Sequence, residues 1–323
     1  MGRARLIVLG LLIAIVALLF LLPVVVESHS VINLVIKILL YVILASSWNI
    51  LGGYTGQTNL GLAAFFGLGT LTTRLLWMGG VSIFVSLPIA GVVALSLALL
   101  IGAPAFRLRG VYFAIGTLAI AQILYVTVGN VFPRLSSLPA TYLTTYQLLP
   151  RYYVFVSLTL FTVGTAYVLV HSKLGLGMMA VREEEDAAES LGVSAFRHKL
   201  LALCVSSVFA GWAGGAYAWF QVGYYPQFPF SVSWTFDSMM MVYIGGAGTL
   251  LGPVIGAVFY VLLQEFLSQK LLEVHMIVFG ILFILIILFL PGGFTEIWGR
   301  IRHLVAPRSR MHESPLLSRK GHG

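Results

Sequence analysis

Five of the chain's eleven acidic residues, Glu183, Glu184, Glu185, Asp186 and Glu189, fall inside 181-VREEEDAAESLGVSAFRHK-199, in a sequence only 9% charged. Carboxylates crowded in this way are strong acceptors for Arg or Lys on a partner. Little else in the chain could do chemistry. There is no H-E-x-x-H pattern, no cysteine cluster and no convincing Ser/His pair, so neither catalytic residues nor metal ligands are expected. Of the seven histidines, His198 stands between Arg197 and Lys199, while His303, His312 and His322 lie in the C-terminal tail. Solvated or interfacial positions account for them. Cys204 stands alone in an apolar run, where a thiol serves as packing material and no disulfide within the chain can form. No GxxxxGK[ST] pattern occurs, so the chain does not bind ATP through a P-loop. Asp237 and Glu265 could in principle relay ions, as intramembrane carboxylates do, but they sit near the ends of an apolar segment. Lys37 and Arg74 can snorkel.

The elements that must position these residues are membrane helices. Soluble domains carry about 25% charged residues; with 59% hydrophobic and 9% charged residues, this chain belongs in a bilayer. Its apolar runs reach the ~20 residues of a spanning helix and lack the ~10-residue alternation of barrel strands. The expected fold class is therefore all-α: a polytopic transmembrane helical bundle with Gly-broken or re-entrant helices and about 8–10 membrane segments. The net charge of +8 does not signal nucleic acid, because six of the 19 Lys and Arg lie in the last 24 residues beside a span. There they set topology or touch anionic lipid.

Arg3 and Arg5 precede 6-LIVLGLLIAIVALLFLLPVVV-26, whose apolar stretch exceeds the roughly 7–15 residues of a signal-peptide core. It reads as a first transmembrane helix with its N-terminus in the cytoplasm. Further spans are expected near 31–51, 62–80, 82–102, 111–131, 152–172, 200–221 and 274–291, with a compound region at 236–267. The positive-inside rule places Arg3, Arg5, Arg107, Arg109, Lys173, Arg182, Arg197, Lys199 and the tail from Arg300 inside. Arg134 and Arg151 fall outside, a mild exception. The compound region must then enter and return, as a re-entrant hairpin or as two short spans broken at 245-GGAGTLLGP-253.

That break and a second at 52-GGYTGQTNLGL-62 supply the candidate path residues: Gly56, Gln57, Asn59 and Gly61, with Gly245, Gly246, Gly248, Gly252 and Pro253. Interrupted membrane helices are tolerated where the freed backbone faces protein or a water-filled path. Close packing is the competing reading, since 52–56, 211–215, 248–252 and 252–256 all have GxxxG spacing. Both can hold at once.

Within the polar stretch 172–200, 183-EEEDAAESLG-192 has the signals of a short helix: acids lead, alanines and Leu191 propagate, Gly192 stops. Ala187, Ala188 and Leu191 are expected to share a smooth apolar face, flanked by Glu183, Glu184 and Asp186 as acceptors. A solvated loop with a charge run is the plainer alternative, though such a loop has no need of paired alanines and a helix-stopping glycine.

The pattern 186-DAAESLG-192 resembles the cytoplasmic coupling loop of permease subunits in bacterial ABC importers. More closely, 175-GLGMMAVREEEDAAESLGVSAFRHKLLALCVSSVFAGWAGGAYA-218 resembles the branched-chain amino acid permease family, the M-type subunit. So do 49-NILGGYTGQTNLGLAAFFGLG-69, 107-RLRGVYFAIGTLAIAQIL-124, 238-SMMMVYIGGAGTLLGPVIGA-257 and 289-FLPGGF-294. The resemblance covers roughly residues 40–294 with its motifs in order.

The resemblance implies a transport subunit, not an enzyme, in a bacterial or archaeal cytoplasmic (inner) membrane, with both termini cytoplasmic. Its partners would be a second permease subunit in a heterodimer, two ATPase subunits carrying ATP and Mg, and an extracytoplasmic substrate-binding protein. Residues 183–192 would dock on the ATPase. The solute would be a branched-chain or other hydrophobic amino acid; urea, amide or other small-solute permeases are the alternative, and an ion-coupled secondary transporter the alternative from another class. Gln122 stands where the family often has an acid, and Leu62 where it often has a polar or aromatic residue. Three regions follow: 1–30 with the first helix and an outer turn, 31–299 as permease domain containing the coupling loop 173–199, and 300–323 as a basic tail.

Overall fold

Without water to compete, runs of Leu, Ile, Val and Ala can satisfy their backbone only within helices. The computed structural model describes residues 2–26, 28–132 and 146–270, with isolated positions between 278 and 294. Among these residues there are eleven α-helices and no strand. In chain order they are α1 (Gly2–Val25), α2 (His29–Thr55), α3 (Leu62–Met78), α4 (Ile83–Ala105), α5 (Val111–Val131) and α6 (Leu148–Val170). The short α7 (Lys173–Glu183) and α8 (Glu185–Ser190) precede α9 (Ala195–Phe220), α10 (Ser233–Gly245) and α11 (Gly252–Lys270). Helices α2, α4, α5, α6 and α9 are long and apolar enough to cross a membrane.

The compound region is two helices joined by a break, as its glycines require. At 13 residues, α10 is about 20 Å long, short of the ~30 Å hydrocarbon core. It packs along α11 so tightly that a Cβ on Gly245 would run into Gly252 and one on Gly256 into the Met241 carbonyl. Gly246 and Gly248 hold φ of +120° and +78°, values that side chains resist. Arg134, the tail from Arg300 and, apart from isolated positions, the expected span at 274–291 lie outside the described residues.

At the centre stands α9, enclosed by α2, α3 and α4 with α6 beside it. Small residues allow this. A Cβ on Gly69 would strike the Gly211 carbonyl and one on Gly214 the Phe66 carbonyl, so α3 and α9 cross nearly backbone to backbone. Midway, the Ser47 hydroxyl donates to the Ser206 carbonyl at 2.6 Å and ties α2 to α9.

Two arginines close the C-terminal end of α9, where unpaired carbonyls attract cations. Arg74, expected to snorkel, is instead fully buried on α3. Its Nη1 and Nη2 donate to the Gln221 and Val222 carbonyls at 3.3 and 3.4 Å, and the guanidinium lies over Tyr224. Arg151, the exception to the charge rule, donates to Trp219 O at 2.8 Å and stacks on Tyr146. Its charge is consumed by helix capping.

Candidate functional site

The acidic segment differs in detail from a single helix over 183–192. Glu183 ends α7; Glu184, extended at φ −157° and ψ 115°, breaks the chain, and α8 starts at Glu185. Gly192, at φ +85°, stops it. Its N–H bonds the Glu189 carbonyl and the Val193 N–H bonds that of Ala188, the paired closure of a Schellman motif.

The alanines do not share one face. Ala188 is buried against Val181 and Ala195, whereas Ala187 is exposed and Leu191 is 86% exposed. With only six residues, α8 lies on the foot of α9, and that packing decides which side turns in. Glu183, Glu184, Asp186, Ala187, Leu191 and Gly192 all face solvent. Glu185 instead turns toward the bundle. It accepts from Lys199 Nζ of α9 at 2.5 Å, with the lysine side chain only 5% exposed. Asp186 lies 3.6 Å from Arg109 in the α4–α5 turn, a solvated pair that adds little but puts that turn beside α8.

Both chain breaks arrive at this same end. Gly56, in the left-handed conformation at φ +71°, caps α2 and packs on Arg182. Arg182 Nη1 donates to the Gly53 carbonyl at 2.6 Å. One turn earlier, Asn49 Oδ1 accepts from the Gly248 N–H and Nδ2 donates to the Thr249 carbonyl, both at 2.9 Å. Helix α7, the end of α2 and the α10–α11 break thus form one hydrogen-bonded junction. Neither Arg182 nor Asn49 stands out in the sequence as a site residue; the available signal was an amide within an apolar run, since polar groups there usually have a partner.

The other path candidates divide. Gln57 is half-exposed at the junction. Asn59 is buried: its carbonyl accepts from Trp48 Nε1 and its Oδ1 from the Gly61 N–H, both at 2.8 Å. Gly61 lies against the Thr117 carbonyl. Thr235 of α10 caps the first turn of α3 by accepting from the Ala63 N–H at 2.9 Å. This pair, Asn59 and Gly61, shapes the start of α3. Gly245 and Gly252 bring their helices together, and Pro253 is buried in the first turn of α11, where its missing N–H does no harm. Gly246 and Gly248 form the turn itself. Gln122 is exposed on α5, and Leu62 is fully buried.

At the opposite end of α2, Lys37 faces Glu265 across 3.9 Å. Asp237 accepts from the hydroxyls of Tyr41 and Tyr260 at 3.2 and 2.5 Å.

Residues 30–287 match the family described as branched-chain amino acid transport system / permease component. The chain belongs to that family. It is therefore a multi-pass membrane transport subunit. Among curated relatives, it is 28% identical over 299 residues to the high-affinity branched-chain amino acid transport system permease protein LivM of Escherichia coli. That match covers 82% of this chain and 70% of the relative. The Salmonella typhimurium protein of the same description is 27% identical with the same coverage. A probable branched-chain amino acid transport permease protein LivM of Methanocaldococcus jannaschii is 25% identical, over 79% of this chain and 90% of its own. No solved structure gives a significant match.

Proposed function

We propose that this permease component carries branched-chain or other hydrophobic amino acids across the cytoplasmic membrane, driven by a separate ATPase that docks on α8. The observation that carries the coupling is the junction. The short helix α8 presents Asp186 and Ala187, flanked by the exposed Glu183, Glu184 and Leu191, and the segment is linked through Arg182 and Asn49 to both chain breaks. Two ATPase subunits holding ATP and Mg would move α8 when they close. A second permease chain would complete the path, and an extracytoplasmic binding protein would deliver the solute. The junction end and both termini would then be cytoplasmic.

The test uses the assembled complex in proteoliposomes, with labelled leucine and binding protein on one side of the membrane and ATP on the other. Because Ala188 is buried, the surface is probed by Ala187→Trp combined with Leu191→Glu. The variant should insert normally, lose ATPase association and lose uptake. Unchanged uptake and association would reject docking on α8. Uptake of urea instead of leucine would reject the substrate class and leave the coupling intact.

A further inference from the structure

At the end of the bundle away from α8, a cavity of about 520 Å³ opens between α2, the end of α9, α10 and α11. That lies within the roughly 300–1,000 Å³ of small-molecule sites. One wall is aromatic, with Tyr41, Tyr217, Phe228 and Trp234; the other carries Lys37, Asp237 and Gln264. Here one cationic and one anionic side chain face a common space in an otherwise apolar bundle.

The polar groups are incompletely satisfied. The Tyr41 and Tyr260 hydroxyls occupy two of the roughly four acceptor positions of the Asp237 carboxylate, which orients it without neutralising it. Among the described residues, the buried Gln264 Oε1 has no hydrogen-bond partner. The one ion pair of Lys37 among the described residues is the long approach to Glu265, and both of those side chains are more than a third exposed, so that pairing is easily exchanged. Two acceptors await a donor-rich cation, and beside them stands an ammonium able to take a carboxylate.

We propose that this cavity is a way-station for a zwitterionic amino acid. Asp237 and Gln264 Oε1 receive its ammonium, Lys37 its carboxylate, and the aromatic wall its apolar side chain. Trp234, packed against Tyr41, Tyr217 and Phe228, also offers a π-face to the ammonium. The inference rests on the permease reading above and adds the recognition chemistry.

The complex described above tests it with Asp237→Asn, Lys37→Met and Asp237→Glu. Removing either charge-assisted hydrogen bond should lower leucine uptake about 10- to 100-fold. Binding-protein-stimulated ATP hydrolysis should remain, which shows that the variants fold and couple. Asp237→Glu should recover part of the uptake. In the complex without binding protein, leucine should quench Trp234 fluorescence saturably. 4-Methylpentanoate, lacking the ammonium, and 3-methylbutylamine, lacking the carboxylate, should do so only at far higher concentration. Wild-type leucine uptake in both Asp237→Asn and Lys37→Met, or equal quenching by the two analogues, would overturn the site while leaving the permease reading in place. Absence of leucine uptake by the wild-type complex would overturn that reading and the site with it.

Discussion

Replacing Asn49 by Ala should open the α10–α11 break while leaving α2 folded. Asn49 is 1% exposed, and its amide makes both hydrogen bonds that hold Gly248 and Thr249 at 2.9 Å. Truncation leaves one backbone donor and one acceptor without partners. Each such loss costs about 1–3 kcal/mol when the group is fully buried. Gly248 and Thr249 are half-buried, so water recovers part of it, and about 1 kcal/mol each is the appropriate end of the range. The total, about 2 kcal/mol, is roughly a 30-fold change in the opening equilibrium. Within α2 the sign is opposite, because Ala favours a helix interior over Asn by up to about 0.7 kcal/mol. Hydrogen exchange on the permease in nanodiscs separates the two effects. Peptides covering 246–251 should exchange about 30-fold faster, and those covering the middle of α2 should not. Asn49→Asp keeps the acceptor for Gly248, loses the donor to Thr249, and should fall between. Unchanged exchange across 246–251 in Asn49→Ala would show that these bonds do not hold the break.

Glu185→Gln should destabilise the chain more than Lys199→Met does. The first leaves a 5%-exposed ammonium facing a neutral amide oxygen without its counter-charge, while the second leaves a carboxylate that is 28% exposed and can rehydrate. Breaking a fully buried pair costs about 3–5 kcal/mol; partial exposure and the acceptor that Gln retains put Glu185→Gln below that range, read as the lower Tm of the purified permease. Arg182→Met removes the donor to Gly53 but leaves the exposed face of α8 intact. Uptake should fall while the ATPase still co-purifies, and loss of co-purification would disprove this division of labour. Gly214→Val must push into the Phe66 carbonyl, whereas a Cβ at Gly164 meets nothing within 4 Å among the described residues. The first should abolish monodisperse protein in size-exclusion chromatography, and Gly164→Ala should leave it monodisperse and stabilise α6 by up to about 1 kcal/mol.

The spans were legible because each is a local property: 111–131 coincides with α5, and 62–80 differs from α3 by two residues at one end. The breaks were equally local, since Gly246, Gly248 and Gly56 mark positions of positive φ. What could not be read was which groups meet across the fold. Asn49 and Gly248 are 199 residues apart and Gly53 and Arg182 are 129 apart; no periodicity encodes such pairs. The same holds for Ala188, which helical spacing alone assigns to the face of Leu191 and which the foot of α9 turns inward. Glu185 resembles its acidic neighbours until Lys199 distinguishes it. From sequence, the spans offered almost no charge for a zwitterion. Lys37 and Asp237 lie on helices far apart in the chain, and only folding brings them to one cavity.

The two ends of the molecule are joined by the same two helices. On α2, Gly53 at the junction and Lys37 at the cavity are 16 residues apart, about 24 Å along the axis. On α9, Lys199 anchors α8, and Tyr217 and Gln221 at the far end line the cavity. The Ser47–Ser206 bond fastens α2 to α9 between these points. A displacement of α8 that is passed on by the Glu185–Lys199 and Arg182–Gly53 contacts therefore reaches two walls of the cavity along α9 and α2, each a continuous helix from that contact onward. The α10–α11 pair supplies the remaining walls, and at the junction its loop is held to α2 by the Asn49 amide. Under ATP-driven coupling, relative motion between α2–α9 and α10–α11 would open or close the cavity. The two sets of glycines thus act differently. Those at α3–α9 let two helices meet backbone to backbone, and Gly246 and Gly248 supply the positive φ that the turn between α10 and α11 requires.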